Sequence, residues 1–223
     1  MDIIFEDDAV IVIHKPAGIA VQSGRVGDRD IVSDLKKYLK SDYAGIVHRL
    51  DQPVEGLMIF GKTQAAASAL SAQIRDVNAG TFNKRYDVIS LIKNKEINPE
   101  SRLVDLIAVD RLKNLSYITD DKALGKEAVL DYTVKEQWEA GMERYAHIMI
   151  DLFTGRRHQI RIQLANAGMP VVGDRKYGYM PTDYRGNICL AASQLSFRHP
   201  VTDTEMKFEI IPGFLQDSIT EKG

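Results

Sequence analysis

Reactive side chains stand close together at residues 48–51, where the sequence reads HRLD. Asp51 is the central group, because an ionised carboxylate can act as a nucleophile towards the anomeric carbon of a sugar or as a general base. Pro53 restricts the residue before it to extended backbone, and Gly56 permits an unusual backbone angle before the apolar run GLMIF. Two interpretations follow. The segment is either a polar turn before a buried strand or a tight loop that presents Asp51 at a strand end.

A second group lies in the segment TGRRHQIRIQL. Residues 154–157 form a glycine-containing turn, and residues 158–164 begin an amphipathic helix on which Arg161 shares a face with His158. A guanidinium beside Asp51 would keep that carboxylate ionised and fixed in orientation. The alternative is an ordinary surface arginine near the start of a helix.

The third group is KRYDV, in which Tyr86 stands at the start of a predicted strand behind Lys84 and Arg85. An aromatic ring in this position can stack on a base, with the two cations near phosphates. The alternative is a core tyrosine flanked by solvated charges.

The charge of the chain is unevenly distributed. The net charge of the 223 residues is −2, but residues 144–200 contain eight Lys or Arg against three Asp and no Glu. A local basic face can bind phosphates even on an acidic protein, although clustered charge is often only a solvated surface. We expect the basic face to consist of Arg156, Arg157, Arg175, Lys176 and Arg185.

Composition excludes several classes of protein. Cys189 is the only cysteine, so the chain has no internal disulfide, and no apolar run approaches the roughly 18 residues of a membrane span. The histidines lack metal-ligand spacing, and no phosphate-binding loop, dinucleotide-binding, HExxH or GxSxG motif occurs. We therefore expect no metal, no organic cofactor, no membrane contact and a cytoplasmic location.

The elements that must position these groups are mostly strands. Short alternating or β-branched runs predict strands around residues 2–15, 56–63, 84–92, 127–155 and 188–212. Helical patterns predict helices over residues 30–40, 64–79 and 158–167, the second with Thr63 as its N-terminal cap and Gly80 past its end. Residues 93–127 predict only hairpins and loops. With no regular alternation of strand and helix, the chain predicts one α+β domain over residues 1–223, with a mainly antiparallel mixed sheet and flanking helices.

Together these segments resemble the RluA-type pseudouridine synthase family. The motifs EDDAVIVIHKPAG, HRLD, FGKTQAAASALSAQI with KRYDV, TGRRHQIRIQLANAGMPVVGDRKYG and LAASQLSFRHPVT occur in the family's order, from about residue 3 to residue 212. A short HRLD match alone would carry little information, but five motifs in order are specific. The resemblance implies the pseudouridine synthase fold.

The resemblance also implies roles for individual residues. Asp51 matches the catalytic aspartate, Tyr86 the tyrosine that stacks on the target uracil, and Arg161 the arginine that pairs with the aspartate. Arg49 matches a position that helps to extrude the target nucleotide, and Leu164 matches an apolar position that lines the pocket. The remaining expected RNA contacts are His48, Lys84, Arg85, Arg156, Arg157, Arg175 and Lys176.

The implied activity is isomerisation of specific uridines to pseudouridine in ribosomal or transfer RNA, by a monomer that needs no cofactor. Asp51 acts either at C1′ or on the proton at C2′, and the order of steps stays open. Two alternatives also stay open: an inactive RNA-binding or folding factor with this fold, and an N-glycosidase that releases the base. The sequence does not indicate which RNA or which uridine is the target.

One departure from the family pattern concerns the residues after Asp51. Many members read HRLDxxTSG, whereas this chain has Val54 and Glu55 in place of Thr and Ser. Glu55 would oppose ionisation of Asp51 if it were close and unpaired, or both residues could face away from the pocket. Because the family motifs begin at residue 3, we expect no separate N-terminal RNA-binding domain in this sequence.

Overall fold

The computed structural model describes residues 1–25, 27–76, 79–93, 96–181 and 184–220. The elements in chain order are β1 (Asp2–Glu6), β2 (Val10–Lys15), α1 (Ile31–Leu39), β3 (Gly45–Ile46), β4 (Glu55–Gly61), α2 (Gln64–Arg75), β5 (Asn83–Leu91), β6 (Glu100–Asp110), β7 (Leu115–Ile118), β8 (Lys126–Ala140), β9 (Glu143–Leu152), α3 (Gln159–Asn166), β10 (Leu190–Arg198), β11 (Glu205–Glu209) and α4 (Gly213–Thr220). No helix in the described ranges is long and apolar enough to cross a membrane.

Contacts between residues divide the chain into two compact units, Met1–Lys84 with Ala191–Gly223 and Arg85–Leu190. In the first unit the strand order is β1-β2-β4-β10, with β11 next to β10 and β3 paired to β4. These pairs are antiparallel except for β4 with β10, which is parallel. The prediction of a single domain stays a prediction.

The first unit is built around a buried β4. Leu57 and Ile59 pack with Val12, Leu70 and Phe197 in one apolar cluster. Burying each such side chain contributes roughly 1.5–3 kcal/mol. The adjoining helices have polar N-terminal caps that satisfy otherwise unpaired backbone N–H groups: Asp30 Oδ1 accepts from Ser33 N–H at 2.8 Å, and Thr63 Oγ1 accepts from Ala66 N–H at 3.1 Å.

The second unit is an antiparallel sheet in the order β5-β9-β8-β6-β7, with α3 packed on it. Ile162 of α3 packs against Ile107 of β6 and Ala128 of β8. The helix that carries Arg161 is therefore anchored to β6 and β8 by apolar contact.

The α+β prediction is confirmed, as are the predicted helices and the strands of the three hairpins. The region 93–127 contains more regular structure than predicted, because β6 is an 11-residue strand paired with β7 and β8. Charged residues at positions 100, 102, 105 and 110 interrupt the apolar run of this strand, and this composition hid it. The short β3 and the helix α4 were not predicted. The helix predicted over residues 64–79 ends at Arg75. Its positions 77 and 78, and positions 94 and 95 of the predicted loops, lie outside the described residues.

Candidate active site

Asp51 lies at the start of a hydrogen-bonded turn that leads into β4. Its backbone carbonyl accepts from Val54 N–H at 3.1 Å, with Gln52 and Pro53 at the two central positions. Val54 is only 3% exposed, so the end of the turn is fixed in the core. The turn thus presents Asp51, which is half-buried, directly before a buried strand.

The Lys15 side chain connects this turn to the loop after β2 by hydrogen bonds. The side chain is fully buried, and Nζ donates to the carbonyls of Pro16 (3.0 Å), Ile19 (2.9 Å) and Gln52 (3.2 Å). Gly18 N–H also donates to the Gln52 carbonyl at 2.9 Å. Burial lowers the pKa of the Lys15 ammonium from 10.5 to about 8, although the negative charges of Asp51 and Glu55 oppose this shift.

His48 supports the same segment from inside the core. It is 8% exposed, and its Nε2 accepts from Ile59 N–H of β4 at 3.3 Å. Burial, followed by the charge of Lys84, lowers the pKa of His48 from 6.5 to about 3, so the ring is neutral at physiological pH. Because so little of the ring is exposed, His48 is better placed to hold β4 than to make the predicted contact with RNA. Arg49, next in the chain, is exposed.

Glu55, one of the two residues that differ from the family pattern after Asp51, has defined contacts in the structure. Glu55 Oε1 accepts from the N–H of Gly213, the first residue of α4, at 3.1 Å, and Oε2 lies 3.8 Å from His14 Nε2. The carboxylate is therefore hydrogen-bonded to the start of α4, and the predicted effect of Glu55 on Asp51 stays a prediction.

The loop before α3 is held to β8 by a set of hydrogen bonds. Gln159 Oε1 accepts from Thr154 Oγ1 (2.8 Å) and from Arg156 N–H (2.9 Å), and Thr154 Oγ1 accepts from Val129 N–H at 2.8 Å. His158 precedes the helix in the left-handed region, with a φ of 55°. These contacts fix where α3 begins and therefore where Arg161 projects.

Arg161 is 4% exposed and forms a bidentate ion pair with Asp174, in which Nε–Oδ2 and Nη2–Oδ1 are both 2.7 Å. Sequence reasoning missed Asp174, which it counted only as one charge within GDRKYG. The predicted pairing of Arg161 with Asp51 stays a prediction. Leu164, on the same helix, is fully buried, as expected of an apolar lining position.

The KRYDV residues lie on β5. Tyr86 pairs with Ile150 of β9 and is 5% exposed. Arg85 forms a bidentate ion pair with Asp151, with Nε–Oδ1 at 2.7 Å and Nη2–Oδ2 at 3.1 Å, which offsets much of its charge. Burial lowers the pKa of Lys84 to about 8. The predicted contacts of Tyr86 with a base and of Lys84 and Arg85 with phosphates stay predictions.

Two of the predicted basic residues meet at Asn114, in the turn between β6 and β7. Arg157 Nη2 donates to Asn114 Oδ1, and Lys176 Nζ donates to the Asn114 carbonyl at 2.8 Å. Arg157, Lys176 and Arg175 are exposed, whereas Arg156 is half-buried and its Nε donates to the Glu127 carbonyl at 2.7 Å. Arg185, which belonged to the predicted face, is also exposed.

The turn adds two exposed cations that the sequence did not point to, Arg111 and Lys113. They went unnoticed because residues 93–127 carried no recognisable motif. We call Arg111, Lys113, Arg156, Arg157, Arg175 and Lys176 the basic surface.

The structure is thus a mixed-sheet protein. One unit presents the carboxylate of Asp51 on a turn, and the other contains the buried Arg161 and the basic surface. Residues 9–166 match the family model described as RNA pseudouridylate synthase. The chain belongs to this family, and the predicted resemblance is confirmed.

Individual relatives agree with this assignment. The chain is 30% identical over 233 residues to ribosomal large subunit pseudouridine synthase D of Vibrio parahaemolyticus, covering 93% of this chain and 66% of the relative. It is 27% identical over 226 residues to the protein of that name from Yersinia pestis, with the same coverage. The chain thus spans just under two thirds of these relatives. The solved human RNA pseudouridylate synthase domain containing 4 shares the fold, with a TM-score of 0.76 at 20% identity over 98% of this chain and 92% of that one.

Proposed function

We propose that this protein is an RNA pseudouridine synthase that isomerises specific uridines of ribosomal or transfer RNA. Family membership supports the reaction class. The single observation that carries the proposal is the Asp51 turn, in which an aspartate of the HRLD motif is held before β4 by the Val54 hydrogen bond and by Lys15 on the adjacent carbonyl.

The proposed reaction breaks the bond between uracil N1 and ribose C1′, turns the base within the site and joins C5 to C1′. C5 loses a proton and N1 gains one, so atoms balance without an oxidant, a reductant or an external nucleophile. Asp51 supplies the carboxylate, either as nucleophile at C1′ or as the base for the C2′ proton. Tyr86 stacks on the uracil, and Arg161 keeps the carboxylate oriented.

RNA binding is proposed to rest on Arg49 and on the basic surface. A uridine in a folded RNA is stacked, and turning it out requires a few kcal/mol, which phosphate contacts and stacking on an aromatic ring offset. Arg157 and Lys176, joined through Asn114, place two cations side by side at the surface. We further propose a monomer that works in the cytoplasm, where ribosomal and transfer RNA mature.

The experiment compares pseudouridine maps of RNA from cells that lack the gene, cells restored with the wild type and cells restored with Asp51→Ala. Asp42→Ala, which removes an exposed aspartate from the same unit, is the matched control. We expect a site that the wild type and Asp42→Ala restore and Asp51→Ala does not. A site restored by Asp51→Ala would remove Asp51 from the mechanism. If no site changes at all, the proposed function is wrong, and free uracil released from RNA would instead indicate an N-glycosidase.

A further inference from the structure

Asp174, in the loop after α3, accepts four hydrogen bonds from the described residues. Besides the two bonds from Arg161, its Oδ1 accepts from the backbone N–H groups of Lys176 at 2.8 Å and Tyr177 at 3.3 Å. Its side chain is fully buried, and that of Arg161 is 5% exposed. A buried bidentate ion pair fixes both partners, because separating them would leave two buried charges without a partner or solvent.

Tyr177 fixes the guanidinium from a second direction. The guanidinium carbon of Arg161 lies 5.4 Å from the centre of the Tyr177 ring, within the range of a cation–π contact. The ring is itself held, because its hydroxyl accepts from Ser116 N–H at 2.6 Å and bonds His158 Nδ1 at 2.7 Å. Asp174 therefore contacts one edge of the Arg161 guanidinium, and the Tyr177 ring contacts one face.

Asp174 stays charged across the physiological range. Burial by itself raises the pKa of this carboxyl, but the hydrogen bonds and charge of Arg161, together with the two backbone N–H groups, outweigh burial and lower it. The ion pair with Arg161 therefore persists across the physiological pH range.

We propose that Asp174 is a positioning residue for Arg161. Asp174 binds the Nε–Nη2 edge of the guanidinium, so that the whole group keeps one direction during the reaction. The inference rests on the proposed function. A planar guanidinium with five donors suits this role, because binding at one edge determines the direction of the other. Preorganised groups act mainly on turnover, since reorientation during the reaction is avoided.

The test measures kcat, KM and thermal unfolding of Asp174→Asn on an in vitro transcript of the RNA found by the mapping experiment. Asp131→Asn is the matched control, because Asp131 forms an equally short bidentate pair with Arg102 in the same unit. We expect Asp174→Asn to lower kcat by roughly 100-fold with KM within about threefold, and the control to stay within about threefold of the wild type. An unchanged kcat in folded Asp174→Asn overturns the inference while the proposed function stands.

A double substitution covers the case in which Asp174→Asn does not fold because it leaves Arg161 buried and unpaired. We expect Arg161→Met and Arg161→Met/Asp174→Asn to have the same low kcat, because Asp174 acts through Arg161. A double variant well below Arg161→Met would show an independent role and overturn the inference. A wild-type protein that forms no pseudouridine in any RNA would overturn the proposed function and the inference together.

Discussion

At the scale of single residues, the side chains of the HRLD motif differ in how far they are buried. Arg49 is exposed, Asp51 is half-buried, and His48 is buried with its Nε2 on Ile59 N–H. His48 Nδ1 has no hydrogen-bond partner within the described part of the chain. A buried neutral histidine makes the stability of the segment dependent on pH, because protonation would place a charge in the core.

His48→Gln tests this dependence, since the Gln side-chain oxygen can accept from Ile59 N–H but does not titrate. The pKa of His48 is about 3 in the folded protein and 6.5 when unfolded, so the unfolded chain binds more protons between these values. The stability that His48 contributes is therefore complete above pH 6.5 and declines as the pH falls towards 3. We expect the free energy of unfolding of the wild type, relative to His48→Gln, to fall by about 1.4 kcal/mol per pH unit below 6.5. Urea denaturation at several pH values measures it, and a difference independent of pH would contradict the assignment.

At the scale of elements, the site depends on how β4 begins. Gly56 pairs with Ala192 of the parallel strand β10 and has a φ of +132°. A Cβ at this position would collide with the Ala192 backbone. The glycine of HRLDQPVEG is therefore required by the close approach of two strands, directly after the turn that carries Asp51.

Gly56→Ala should destabilise the protein by about 3 kcal/mol or more, because backbone strain and a steric clash add together. Gly141→Ala is the control, since Gly141 has a positive φ of 63° but open space around a new Cβ. We expect that control to lose only about 1 kcal/mol. Denaturant unfolding of both variants measures the difference, and equal losses would mean that the approach of β10 does not matter.

Lys15→Met tests the link between the loop after β2 and the Asp51 turn. Loss of the three carbonyl contacts should let the turn move and lower turnover by roughly 10- to 100-fold, with little change in RNA affinity. Lys62→Met is the control, because Lys62 Nζ also binds a backbone carbonyl, that of Asp7, but holds the β1–β2 turn. Single-turnover kinetics and RNA binding separate the two effects. A larger loss of affinity than of turnover would argue against the positioning role of Lys15.

At the scale of the whole molecule, a net charge of −2 coexists with a concentrated basic surface. Asn114 joins Arg157 and Lys176, and its own φ of 55° places it in the left-handed region that asparagine tolerates. Because the rest of the chain carries net negative charge, RNA binding should depend strongly on the basic surface together with Arg49.

Arg157→Ala/Lys176→Ala should weaken binding of a uridine-containing stem–loop RNA and reduce the steepness of its salt dependence by roughly 1.5 in log–log slope. Lys36→Ala/Lys37→Ala removes the same charge from exposed positions of α1 and is the control. Titrations over a range of salt concentrations supply both slopes. If the two double variants give the same slope, the basic surface is not where RNA binds.

Much of the fold could be predicted from the sequence because its signals are local. Thr63 as a cap, the apolar spacing of α2 and the alternation of β9 each involve residues a few positions apart. The strand β6 was missed for the same reason, since the charged residues scattered along it obscured the local pattern. Family motifs identified Asp51, Tyr86 and Arg161 as candidates, but not the groups that hold them.

The sequence alone determined the fold class, the family and the residues proposed to act in catalysis, because residue type and spacing record these features. Only the tertiary structure decided the partners: Lys15 on the Gln52 carbonyl, Glu55 on the first residue of α4, and Asp174 on Arg161. These contacts join residues far apart in the chain or separated by a loop. Their geometry follows from strand pairing and helix packing, which bring together side chains whose sequence separation carries no periodic signal.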